Sequence, residues 1–157
     1  MSLDAPKPDN LSTDGLSIGI VCARYNEELT DALLARVTEV IQAAGEPENL
    51  SVERVPGSHE VPVGLSLMLE SRDFDCLVGL GVVLKGATSH HHLVAESAGS
   101  ALQKLSIDRS TPVINGIIVT ETLDEARERV TGSIDRGREF AEATLNMAQL
   151  KRRWKKS

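Results

Sequence analysis

The stretch GLGVVLKGATSH (79–90) decides the fold. It completes an almost unbroken apolar run, DCLVGLGVVL (75–84), which is typical of a strand buried on both faces of a parallel sheet. The turn GAT (86–88) follows directly and leads into an amphipathic helix over 93–105. A buried strand that passes at once into a helix indicates an α/β protein.

The same alternation continues on both sides of this stretch. Apolar or alternating runs predict strands at LSIGIVCA (16–23), LSVERV (50–55) and TPVINGIIVT (111–120). Helical spacing predicts helices between Asn26 and Gly45, over 62–72, from Thr122 through Arg129 with a Thr122–Glu125 capping box, and from about Asp135 onward. We therefore expect a three-layer αβα sandwich, with a four-stranded, mainly parallel sheet and helices on both faces.

Composition indicates one domain. The chain has 157 residues, 41% hydrophobic and 25% charged, which excludes a disordered or fibrous protein. No apolar run reaches the ~18 residues of a membrane span, and the polar N-terminus lacks a secretory pattern. We expect a flexible arm over 1–14, a single domain over 15–150 and a basic tail over 151–157.

Charge and cysteine content restrict the partners and the compartment. The net charge of −6 argues against nucleic acid as the main partner. The segment KRRWKKS (151–157) is basic, and it either attracts anions or is a solvated, disordered end. Cys22 and Cys76 lie in apolar runs, which indicates buried free thiols and a reducing, cytoplasmic compartment.

Polar segments follow the predicted strands at their carboxyl ends, where such sheets bind ligands. These segments are ARYN (23–26), PGSHE (56–60), KGATSH (85–90) and VTE (119–121). The turn at 86–88 enters a helix N-terminus, whose N–H groups and dipole favour a phosphate. Alternatively, Gly86 serves only a tight turn and Thr88 only caps the helix.

The histidines of this helix differ in their expected roles. His90, in the first turn beside the predicted phosphate position, is a natural acid–base group. Consecutive helical residues point about 100° apart, so His90, His91 and His92 are not expected to face one ion. His91 and His92 are interpreted as surface side chains. No metal site is predicted.

Three other kinds of residue leave alternatives open. Tyr25 is either a core aromatic or a platform on which a flat ring stacks. Glu60 either complements a helix dipole or accepts hydroxyl groups of a sugar or polyol. Arg129 and Arg136 fit solvated helix charges.

Five segments, in order, resemble the lumazine synthase family over about residues 16–150. They are ARYN (23–26), VPGSHEVPV (55–63), GLGVVLKGATSH (79–90), PVINGIIVTETLDEARERV (112–130) and GREFAEATLNM (137–147). The resemblance implies a flavodoxin-like fold and a step of riboflavin biosynthesis. In that step 5-amino-6-(D-ribitylamino)uracil condenses with 3,4-dihydroxy-2-butanone 4-phosphate to give 6,7-dimethyl-8-ribityllumazine, without a metal or other cofactor.

The resemblance also implies roles for individual residues. His90 matches the proton-transfer histidine, and Arg129 matches the phosphate-binding arginine. The implied substrate-binding positions are Tyr25 for ring stacking, Asn26 with Ser58, His59 and Glu60 for the ribityl chain, the backbone of Val82, Val83 and Leu84 for the ring edge, Ala87 and Thr88 for phosphate, Asn115 in the ring pocket, and Arg136 where the family usually has a lysine.

The chain departs from the family pattern in four places. His59 replaces an aromatic residue, His91 and His92 replace an aromatic and an acidic residue, and Asn115 replaces a phenylalanine. The loop between Arg129 and Gly137 is one residue short. These departures motivate two alternatives, a shell-forming or ligand-binding relative with weak or no synthase activity, and an enzyme that condenses another pentose or ketose phosphate.

The resemblance further implies a homo-oligomer. Small-residue helices such as 93–105 would pack around the axis of a pentamer, with Asn115 from one subunit and His90 from the next in each site. The short connection 131–135 favours stacking of pentamers into an icosahedral shell.

Overall fold

Strands and helices alternate along the chain in a computed structural model that describes residues 10–88 and 90–155. The described elements are β1 (Ser17–Ala23), α1 (Glu27–Ala43), β2 (Asn49–Val55), a 3₁₀ turn (Ser58–Glu60), α2 (Val61–Ser71), β3 (Cys76–Leu84), α3 (His90–Arg109), β4 (Val113–Thr120), α4 (Leu123–Val130) and α5 (Arg136–Trp154).

The four described strands form one parallel sheet in the order β2-β1-β3-β4. Residues 76–82 of β3 are buried, as a strand covered on both faces requires. This confirms the predicted fold class, a three-layer α/β arrangement of the flavodoxin-like kind.

Two apolar cores hold the layers together. On one face Val78 packs with Leu33 of α1 and Leu145 of α5, and α4 joins the same cluster. On the other face the neighbouring residue Leu77 packs with Leu65 of α2 and with α3. Successive residues of β3 thus point to opposite cores, which fixes the sheet between two helical layers.

The two thiols lie within these cores. Cys22 and Cys76 are buried and unpaired, as the sequence predicted. Burial raises the pKa of the Cys22 thiol to about 11 and raises the pKa of Cys76 further. Both side chains are therefore protonated, inert members of the core at neutral pH.

Among the helices of residues 10–88 and 90–155, none combines the length and the apolar character that crossing a bilayer needs.

Two helix starts differ from their predicted caps. Asn26 precedes α1 in a left-handed conformation, with φ 62°, but its side chain makes no capping hydrogen bond. Thr122 caps α4 by accepting from the Glu125 N–H at 3.2 Å. The Glu125 carboxylate accepts from the Glu121 N–H rather than from Thr122, so only half of the capping box forms.

The predicted N-terminal arm begins to pack before residue 15. Thr13 is fully buried, and its hydroxyl donates to the carbonyl of Ile41 at the end of α1. Gln149 of α5 donates to the Ser12 carbonyl at 3.2 Å. Residues 1–9 of the predicted arm lie outside the described residues.

The predicted basic tail starts inside α5, which continues through Trp154. Lys151 donates to the Phe74 carbonyl at 2.7 Å, and the Arg152 guanidinium binds the Asp75 carboxylate at 2.6 and 2.9 Å. These two side chains attach the end of α5 to the loop before β3. Positions 156 and 157 lie outside the described residues.

Candidate active site

A groove of about 510 Å³ opens at the carboxyl end of the sheet, and we call it the strand-end groove. It is lined by Tyr25, Asn26, Gly57, Ser58, His59, Glu60, Val82, Val83, Leu84, Gly86, Thr88, His90, His91 and Val94. The first three polar segments singled out in the sequence therefore converge. The fourth, at 119–121, does not contribute to the lining.

The end of β3 presents unpaired backbone to this groove. β1 pairs with β3 only as far as Leu80, whereas β4 continues to pair with β3 as far as Leu84. Within residues 81–84, the backbone N–H and C=O groups that face β1 are thus not paired with that strand. Buried or half-buried backbone of this kind needs other partners, so it suits the polar edge of a ring.

One of these backbone groups is bound within the chain. The Asn26 amide donates to the Val82 carbonyl at 2.8 Å. The left-handed backbone at Asn26 turns its side chain towards β3 instead of towards the first turn of α1. Asn26 therefore acts here as a bridge across the groove floor rather than as a helix cap.

Tyr25 lies at the mouth of the groove. Its side chain is 73% exposed, which decides against the core alternative. The Tyr25 N–H donates to the Pro56 carbonyl at 3.0 Å, and a Cβ on Gly57 would lie 3.1 Å from the tyrosine ring. Glycine at this turn lets the ring lie over the backbone, where one face remains available for stacking.

Contacts among its own residues stabilise the 3₁₀ turn after β2. One Glu60 carboxylate oxygen accepts from the Gly57 N–H at 3.1 Å, and the other lies 3.6 Å from His59 Nδ1. Ser58 is buried against Gly81 of β3, where any Cβ would collide with its hydroxyl. Glu60 thus closes a turn and keeps an oxygen at the groove surface.

The segment between β3 and α3 is open. The Thr88 hydroxyl accepts from the His90 N–H at 3.3 Å, so Thr88 does serve the helix start. A Cβ on Gly86 would meet open space, and its backbone does not have a positive φ. Neither crowding nor a left-handed backbone therefore requires glycine at this position. His90 is exposed as the first residue of α3.

The prediction that His91 is a surface residue is wrong. His91 is 5% exposed, and neither ring nitrogen has a hydrogen-bond partner among the described residues. Its ring lies 3.9 Å from the ring of His92, centroid to centroid. The Cβ atoms diverge as helical geometry demands, but rotation about the side-chain bonds brings the rings back together. His92 is exposed, as predicted.

A charged pair that the sequence analysis missed lies at the ends of β3 and β4. Lys85 Nζ is 3.0 Å from a Glu121 carboxylate oxygen. The hydrogen bond from Lys85 lowers the pKa of Glu121 below its usual range. The sequence did contain a signal for this pair, because each of the two residues directly follows a buried parallel strand.

Four predicted site residues do not line the groove within one described chain: Ala87, Asn115, Arg129 and Arg136. Asn115 is exposed on β4 and accepts from the Ile117 N–H at 3.1 Å. Arg129 donates to the Glu125 carbonyl at 3.0 Å, and Arg136 binds the Glu139 carboxylate at 2.7 Å.

Comparison with known proteins gives a consistent match. The family profile described as 6,7-dimethyl-8-ribityllumazine synthase matches residues 15–152. The relative of that name from Paracidovorax citrulli is 40% identical over 148 residues, 94% of each chain. That from Polaromonas sp. is 41% identical over 90% of this chain and 91% of its own. That from Cupriavidus pinatubonensis is 42% identical over 91% of this chain and 84% of its own.

Proposed function

Because the chain belongs to the 6,7-dimethyl-8-ribityllumazine synthase family, its reaction is the condensation of 5-amino-6-(D-ribitylamino)uracil with 3,4-dihydroxy-2-butanone 4-phosphate, and we propose that both substrates meet in the strand-end groove. An amine of the uracil attacks the ketone, and a Schiff base forms with loss of water. Phosphate then leaves, and the ring closes with loss of a second water. The observation that carries the assignment is the convergence of Tyr25, Glu60 and His90 on one groove.

The ring and its ribityl chain would occupy the part of the groove between β1 and β3. The exposed face of Tyr25 stacks on the flat ring. The backbone at Val83 and Leu84 meets the ring edge, while the turn that contains Ser58, His59 and Glu60 receives the ribityl hydroxyls. The exposed Glu60 oxygen accepts from those hydroxyls. Of the two roles suggested for Glu60 from the sequence, this is the binding of polyol hydroxyl groups.

The phosphate would lie at the start of α3. The backbone at Ala87 and Thr88 and the positive end of the helix dipole favour an anion there. His90, two or three residues further along the chain, moves protons between the amine, the ketone oxygen and the leaving groups. The amine is itself nucleophilic, so the protein contributes mainly orientation and proton transfer.

A complete site would need a second copy of the chain. Asn115, Arg129 and Arg136 lie outside the groove within one chain, although their sequence positions match ring-pocket and phosphate-binding residues. Large apolar side chains are exposed on the helices beside the groove, namely Val63, Leu67 and Leu93. These two observations support a homo-oligomer in which a neighbour supplies the missing residues.

We extend this proposal to a cytoplasmic protein whose minimum unit is a pentamer. The connection from α4 to α5 is short, Thr131–Asp135, which favours stacking of pentamers into an icosahedral shell. Neither substrate requires nucleic acid or a membrane as a partner.

The direct test is to mix both substrates with the purified protein and to follow the absorbance band of the lumazine product together with released phosphate. Both signals are expected in equal amounts. Binding of the substrates without product would instead indicate a shell-forming or ligand-binding relative. Phosphate release from another ketose phosphate, without lumazine, would indicate an altered condensing enzyme.

A further inference from the structure

We propose that His91, His92 and Glu121 form a site for a divalent transition metal ion of the zinc class. The two histidines lie in the first turn of α3, and the glutamate follows β4, so the topology brings them together at the carboxyl edge of the sheet. One ligand atom from each residue lies within 4.8 Å of the others. Nothing in the condensation proposed above uses these three side chains.

The donor set fits such an ion. Two imidazoles and one carboxylate are a recurrent set around zinc when a fourth position stays open to water or a ligand. Ligand atoms at the usual ~2.0–2.2 Å from a tetrahedral ion are roughly 3.3 Å apart. The three ligand atoms, now within 4.8 Å of one another, must therefore move closer together to bind one ion. The exposed side chains of His92 and Glu121 are able to make that movement.

The buried imidazole is the second observation that points to a ligand. His91 is 5% exposed, and both of its ring nitrogens lack partners within residues 10–88 and 90–155. Buried polar atoms are normally hydrogen-bonded, and one left unpaired is costly. A metal ion bound to one nitrogen would remove part of that cost and would fix the ring beside His92.

Lys85 competes for the same carboxylate. Its ammonium group lies 3.0 Å from a Glu121 carboxylate oxygen. The lysine charge must move away when the ion enters. Lys85 therefore lowers the affinity of the site, and its removal should tighten binding.

The proposal is tested by zinc binding to the tag-free protein in its native assembly. The protein is first treated with EDTA and dialysed. Calorimetry with Zn²⁺ is expected to give one ion per chain. His92→Ala and Glu121→Gln should each weaken binding at least as much as the roughly 10- to 100-fold that loss of an outer-shell partner costs. Lys85→Gln should strengthen it. Co²⁺ should give a tetrahedral visible spectrum that His92→Ala abolishes.

Two matched variants control for general loss of histidine or carboxylate. His59→Ala removes a groove histidine outside the proposed metal site. Glu96→Gln neutralises an exposed carboxylate that lies on α3, also outside that site. Both should bind Zn²⁺ like the original chain. Unchanged binding in His92→Ala and Glu121→Gln would overturn the proposal, as would an equal loss in His59→Ala or weaker binding in Lys85→Gln. None of these outcomes depends on synthase activity.

Discussion

The Asn26 side-chain amide donates a 2.8 Å hydrogen bond to the main-chain carbonyl of Val82. This bond crosses the sheet just beyond Leu80, where the backbone ladder between β1 and β3 ends. It continues the attachment of the two strands by a side chain instead of the main chain. The hydrogen bond therefore fixes the position of the loop that carries Tyr25 relative to the end of β3.

Replacement of Asn26 by Asp tests this bridge. Asp tolerates the left-handed backbone nearly as well as Asn, but its carboxylate cannot donate and repels the Val82 carbonyl. We expect a loss of about 1–3 kcal/mol in the free energy of unfolding, and a raised KM for the ribitylaminouracil. Urea denaturation and steady-state kinetics measure both. A stable variant with an unchanged KM would show that the bridge does not position the groove.

His90→Ala should slow turnover by roughly 10- to 10³-fold, because general acid–base terms are worth ~10²–10⁴ and the amine reacts slowly without help. Stability should change little, since the side chain is exposed. Single-turnover kinetics measure the rate, and added imidazole should restore part of it. An unaltered rate would remove His90 from the mechanism.

Arg129→Ala should cost more than Arg136→Ala, chiefly as a raised KM for the butanone phosphate. Arg136 is occupied by the Glu139 carboxylate at 2.7 Å, whereas the hydrogen bond that Arg129 donates to Glu125 goes to a neutral main-chain carbonyl. The guanidinium of Arg129 thus has no carboxylate in this contact and can bind the phosphate. If Arg136→Ala proves the worse variant, the matching of residues 130–137 to the family pattern is wrong.

The pH dependence of stability should report Asp75. Burial opposes its charge, but the bonds from Arg152 and the Ser17 N–H hold the pKa of this carboxyl below its ordinary 3.8. The stabilisation is therefore present above the unfolded pKa and is lost as the pH falls through the lower folded pKa. Asp75→Asn should lose about 1–3 kcal/mol at pH 7, with the difference from the original chain shrinking in acid. Denaturation curves between about pH 7 and pH 2 test this, and a constant difference would contradict it.

Light scattering in moderate salt decides the assembly. A particle of about 85 kDa, five times the 16.9 kDa chain, supports a single pentamer, and one of about 1 MDa supports the shell. A species at 16.9 kDa with full activity would refute the shared site.

The layers of the fold could be predicted because β3 is a nearly pure apolar run and the flanking helices have clear apolar spacing. The groove could be predicted for a related reason, since parallel strands end at a common edge. Burial of His91 could not be foreseen, because it depends on how the first turn of α3 meets the ends of β3 and β4. That contact is tertiary and leaves no periodic pattern in the sequence.

Other site features depend on rotamers or on further copies of the chain. Asn26 has the residue type of a helix cap, and only its positive φ turns the amide towards Val82. The places of Asn115 and Arg129 match known positions by sequence, yet one chain does not bring them to the groove. The contribution proposed for them would need a neighbouring copy of the chain, and one sequence does not directly encode the geometry of such an assembly.

The contacts of α5 with the loop before β3 bear on synthesis of the protein. Lys151 and Arg152 each follow the residue they hold, Phe74 or Asp75, by 77 positions. On the ribosome, β1, β2 and β3 emerge long before these partners. Until α5 has left the exit tunnel, the Asp75 carboxylate lacks its Arg152 partner, and the helical layer formed by α1 and α4 lacks its third helix. A nascent chain that ends before α5 is thus an incomplete domain, and the apolar sheet residues that Ala141 and Leu145 would cover stay open to solvent.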